Sequence, residues 1–226
     1  MPTNSGEGKR ISLEIEGNAH SEKKHICVKN AFVVNTLFPD TLHIDENGGR
    51  WSVGGVDFEL TYDAHDNIIE NIKLTRSDAK NLPAAEEDKI KLHRSGNILT
   101  AVGGYVQDNI LPDSITELDN GDYEMIYGEQ RLVFSAKDTT DTDGCIHDIG
   151  LSVDGYTSMY DDDAVRLVPF RDMLICDNGD ITDGHLPDKI ETISDTEVHF
   201  TYGDEVFSLT WEKTNKGIKN SKYTKI

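Results

Sequence analysis

Three aspartates recur in one phrase: Phe38-Pro39-Asp40, Leu111-Pro112-Asp113 and Leu186-Pro187-Asp188, with the prolines 73 and then 75 residues apart. Carboxylates gathered around an axis would hold a hard cation such as Ca2+, which takes oxygen ligands. Pro-Asp is also turn chemistry, in which the carboxylate accepts hydrogen bonds from nearby backbone N–H groups. That second role needs no convergence of the three copies, and it is the expected one.

Two further acidic stretches are candidate loops for a weak cation site, Ca2+ being the one cofactor with any support. Asp141 and Asp143 lie with Asp138 and Asp148 around Gly144. The EF-hand pattern fails there, because Thr139 and Gly150 stand at its first and twelfth positions, where an acid or amide and a glutamate are required. Asp177, Asp180 and Asp183 make a looser acidic turn with the same failing. Trp51 and Trp211 are candidates of another kind, as flat platforms for a sugar ring. Aromatics at alternating strand positions are more often core. The eight histidines show no His-Glu-x-x-His and no cysteine partner at zinc-ligand spacing. No Gly-x-Ser-x-Gly elbow and no phosphate-cradling glycine loop occurs either. No residue is assigned a catalytic role.

The elements that carry these residues read as strands. Sliding the chain by 75 residues lays 99–134 on 174–209 without a gap, and nine of 36 positions are identical, among them Asp108/Asp183 and Gly128/Gly203. A shift of 73 adds Val33, Pro39, Asp40, Asn47, Gly48 and Gly55 from the first third, with one residue dropped before Phe58. A period of this length marks one supersecondary unit used several times. Within each unit a short apolar strand comes first: Ile26–Val28, Ile98–Val102 or Met173–Cys176. Past the Pro-Asp phrase comes a hairpin, cleanest where Val198, Phe200 and Tyr202 alternate, Gly203-Asp204 turns, and Phe207, Leu209 and Trp211 alternate back.

The expected fold is therefore all-β, three tandem antiparallel β-meander repeats of about 75 residues with little helix. The boundaries are a flexible lead at 1–9, units at 10–75, 93–153 and 171–226, and linkers at 76–92 and 154–170. Pro83–Lys89 is the one stretch expected to be helical, with proline at its first position and acids near its N-terminus.

Charge bounds the partners. The 42 acidic and 22 basic side chains give a net charge of −20, a field that repels nucleic acid and anionic membrane and favours basic partners. Five lysines crowd the last 14 residues, as a solvated last strand or a basic docking arm. Three cysteines without paired spacing make no disulfide framework. No apolar signal core or membrane-length apolar run is present. The location expected is cytoplasmic or within a virion. The function expected is non-catalytic: an interaction or assembly protein, a component of a virion, appendage or surface complex, acting through a protein partner or self-assembly. Two rivals remain. One is an acidic decoy that fills the basic groove of a nucleic-acid-binding protein. The other is a carbohydrate-binding or carbohydrate-active β-protein.

Overall fold

The computed structural model describes residues 10–16, 24–86, 89–108, 110–136, 144–183 and 186–226. The first third of the chain forms β1 (Ser12–Glu16), β2 (Lys24–Lys29), β3 (Phe32–Asn35), β4 (Thr41–Asp45), β5 (Gly48–Val53), β6 (Val56–His65) and β7 (Ile68–Arg76). The second forms β8 (Lys91–Ser95), β9 (Ile98–Val102), β10 (Gly104–Asp108), β11 (Ser114–Glu117), β12 (Tyr123–Tyr127), β13 (Gln130–Ala136), β14 (Ile146–His147) and β15 (Ile149–Val153). The last forms β16 (Arg166–Phe170), β17 (Met173–Asp177), β18 (Asp180–Asp183), β19 (Lys189–Ser194), β20 (Glu197–Tyr202), β21 (Glu205–Thr214) and β22 (Gly217–Lys225). The all-β class is as the alternation of apolar residues foretells.

The hairpin turns follow from glycine. Gly54, Gly128 and Gly203 have φ of 53°, 58° and 59°, left-handed values that glycine adopts without steric cost. They stand 74 and 75 residues apart. The one-residue offset between the first and second thirds therefore falls before Gly54, not after Gly55 as direct alignment suggests.

The long strands share one sheet, in the order β14-β4-β5-β6-β7-β19-β20-β21-β22-β11-β12-β13-β15. It consists of three antiparallel meanders joined edge to edge. At the joins Ile190 faces Ile69, Ile115 faces Ile218 and Leu42 faces Ile146. Asp148, with φ 56°, separates β14 from β15. β15 stays on β13 while β14 crosses to β4, which brings the two ends of the sheet together as a near-barrel.

Three small sheets pack against the meanders, and all three are built alike: β1-β2-β10, β8-β9-β18 and β16-β17-β3. Each has an outer antiparallel strand and an inner strand that pairs in parallel. The parallel registers coincide position for position. Tyr105 lies opposite His25, Phe32 opposite Met173 and Asp180 opposite Ile98. Each third thus passes its inner strand to another third: β3 to β17, β18 to β9, and β10 to β2.

Three sectors result. Meander β11–β15 packs on β3 and β17 through Phe32, Val34, Leu132, Met173 and Ile175. Meander β4–β7 packs on β9 through Val53, Phe58 and Ile98. Meander β19–β22 packs on β2 and β10 through a ladder of rings: His25 on Tyr105 at 5.1 Å, Tyr105 on Tyr202 at 4.3 Å, then Tyr202, Phe207 and Tyr223.

Two differences from expectation are local. Among the described residues Pro83–Lys89 is not helical; a single 3-10 turn at Ala79–Asn81 precedes the proline. Glu86 bridges to Lys89 and ion-pairs with Lys89 and Lys91, which draws the segment onto β8. A short helix standing alone does not recover the cost of its nucleus. The lysine-rich tail is β22, a strand of the near-barrel, with Lys225 on Glu205. No described helix is long and apolar enough to cross a membrane.

Candidate functional site

The structure keeps the three Pro-Asp aspartates apart. Asp40, Asp113 and Asp188 precede β4, β11 and β19; three strands of the sheet lie between β4 and β19, and three between β19 and β11. At about 4.8 Å per strand the separation is roughly 19 Å along the sheet. Each Asp N–H donates to its own meander, to Ser52 O, Ile126 O and Thr201 O at 2.6–2.7 Å. The Asp113 carboxylate accepts the Gly128 N–H at 2.7 Å, and that of Asp188 accepts the Gly203 N–H at 2.6 Å. These acids tie a strand start to the glycine at the hairpin tip.

Trp51 is half-buried, stacked parallel on Phe58 at 5.4 Å within the apolar cluster under β9. It still borders an open groove of about 480 Å3, together with Arg50, Asp57 and Glu59. Trp211 is half-buried where the register of β21 on β22 shifts, and its backbone N–H donates to Thr196 O. The two indoles sit in different meanders and form no common platform.

Asp141 and Asp143 lie outside the described residues. Asp177 and Asp180 are buried strand residues, not part of a solvated acidic loop. They flank the tight turn between β17 and β18, and both strands are covered by neighbours. Ser158 donates to Asp177 at 2.6 Å. Burial pushes the Asp180 carboxyl up to about 7, against a smaller opposing pull from Arg76. Arg76 itself, also buried, holds Asp78 through two hydrogen bonds and reaches Thr100 and Thr182. Asp180 occupies the position that Phe32 and Tyr105 fill in the other two sectors. Asp183 ends β18; its side chain lies outside the described residues.

Sequence patterns did not single out the cluster at the third sector. Glu16, His25 and Cys27 place one ligand atom each within 4.8 Å, a donor set of the kind zinc takes. Lys29 pairs with Glu16 and bonds to the Cys27 side chain, so an ammonium already stands where a metal ion would. The cluster is held by a half-exposed ion pair. His25 beside it is buried between two carboxylates, Glu16 at 3.6 Å from Nε2 and Glu205 at 3.9 Å from Nδ1.

The third feature is an edge. β1, β8 and β16 are the outermost strands of the three small sheets, each with one unpaired side among the described residues. Such edges invite pairing with another chain, and charge or proline blunts them. β16 carries Pro169, and β8 exposes Lys91 and Arg94. β1 carries no proline and no basic side chain, only the acids Glu14 and Glu16. It exposes Leu13 (43%) and Ile15 (63%), with the carboxylate of Glu14 on the opposite face. Scattered exposed apolar residues are ordinary. Two on one face of a five-residue edge strand are not.

Comparison of the chain with protein-family models, curated proteins and solved structures finds no match.

Proposed function

We propose that this is a non-catalytic interaction protein, part of a larger assembly, that receives an extended strand of a partner protein along β1. The observation that carries the reading is the contrast among three equivalent edges: β16 carries a proline, β8 exposes basic side chains, and β1 exposes Leu13 and Ile15 with only acids beside them. Strand addition of this type draws affinity from main-chain hydrogen bonds and specificity from alternate side chains. The apolar side chains of the incoming strand would lie beside Leu13 and Ile15, and its other face beside Glu14. The net charge of −20 argues against a second copy of this chain and for a partner strand whose polar face is basic.

The test is fluorescence anisotropy with a labelled peptide of alternating valine and lysine. Binding is expected, weakening as salt rises, and lost when Leu13→Lys and Ile15→Lys together give β1 the charge that β8 carries. Binding untouched by that double substitution would overturn the proposal. So would a concentration-dependent dimer that the same substitutions dissolve, since the occupant would then be a second copy.

A further inference from the structure

The inner strands β3, β10 and β18 converge on a cavity of about 140 Å3 lined by Val33, Asn35, Val106, Asp108, Ile181 and Thr182. Val33, Val106 and Ile181 hold the same register position on their strands, opposite Leu174, Ile26 and Leu99. The cavity therefore lies where the three exchanged strands meet. Asn35 and Asp108 likewise hold one position at the strand ends, opposite Cys176 and Val28, and the backbone of Asp183 stands at the third, opposite Ala101.

These end residues perform one shared task. Asn35 Oδ1 accepts the Ile181 N–H of the neighbouring inner strand at 3.1 Å. The Asp108 carboxylate accepts the Val33 N–H in the same way. A neutral amide is thus sufficient for the backbone bond, and at 108 the chain carries a full carboxylate instead. Its Oδ1 is buried and has no hydrogen-bond partner among the described residues. No described lysine or arginine forms an ion pair with it. A buried carboxylate oxygen without a partner is costly, and the cost is removed by a proton or by a cation.

We propose that Asp108 and this axial cavity bind one hard, oxygen-seeking divalent cation of the Ca2+ class, which completes its shell with water. Ca2+ accepts carboxylate, carbonyl and water oxygens in flexible geometry. The ion would lie where three strands from three thirds of the chain meet, so its binding would lock their exchange.

The test is calorimetric titration of chelator-stripped full-length protein with CaCl2, beside Asp108→Asn. Asparagine is chosen because Asn35 already makes the same backbone bond. One equivalent of Ca2+ is expected in the unsubstituted protein, weakened at least tenfold in the variant, with a Ca2+-dependent rise in unfolding temperature confined to the former. A measurement without any variant is titration at pH 7 in two buffers of different ionisation heat. Burial pushes the Asp108 carboxyl up to about 7, so Ca2+ binding is expected to release part of a proton and the apparent heats to differ between the buffers. Equal Ca2+ affinity in the two proteins, or no binding with no shift in unfolding temperature, would overturn the assignment and leave Asp108 a protonated buried acid.

Discussion

At the scale of single residues, His25 is the group whose surroundings say most. Burial lowers its pKa below the usual value, while Glu205 and then Glu16 pull it back up, and Lys225 opposes them. The folded protein therefore favours the neutral ring. The stability that this lends is present above about pH 6.5, and is lost as pH falls below it, because the unfolded chain then takes a proton that the folded chain resists. The slope is at most about 1.4 kcal/mol per pH unit for one group. Urea unfolding at pH 7.5 and 5.5 should show His25→Gln losing less stability across that interval than the unsubstituted protein. Equal losses would mean that the ring takes its proton freely. Asp108 and Asp180 change in the opposite direction over the same range, since burial raises both, and they do so equally in both proteins. The sequence singles out Asp180 as part of an acidic turn, but neither His25 nor Asp108 could be chosen by type. Asp108 matched Asp183 on alignment, but identity alone does not say which side of a strand meets solvent.

At the scale of elements, strands and hairpins were legible because alternation and left-handed glycines are local signals. In two copies of the Pro-Asp phrase the carboxylate bonds to backbone, although its partner lies farther along the chain than a turn would place it. Asp113 and Asp188 each reach 15 residues ahead, to Gly128 and Gly203. Asp113→Ala and Asp188→Ala should each destabilise by about 1–2 kcal/mol, the cost of a charge-assisted bond to backbone. The two losses should add, since the sites lie in separate meanders. Chemical denaturation of the two single variants and the double variant checks this, and strong non-additivity would mean that the meanders are coupled through these acids. What could not be read was the parallel exchange of β3, β10 and β18. A period of two marks a strand and its buried face, not the strand it pairs with. The described residues of Pro83–Lys89 form no helix, and Glu86 there pairs with Lys89 and with Lys91 of the neighbouring strand.

At the scale of the whole molecule, the three sectors share one plan and differ in what fills them. The sector under β11–β15 is apolar, that under β4–β7 carries the Arg76 and Asp180 network, and that under β19–β22 carries the rings and His25. The outer edges differ in the same way, and β1 alone is left without proline or a basic side chain. With a net charge of −20 the molecule repels its own copies and attracts basic chains. Amide hydrogen exchange across residues 12–16, with and without the valine–lysine peptide, tests this account most directly. The outward amides of β1 should exchange fast in the free protein and slow markedly at saturating peptide, while those of β8 and β16 stay unchanged. Slow exchange in β1 before any peptide is added, or protection that appears elsewhere and leaves β1 untouched, would contradict it.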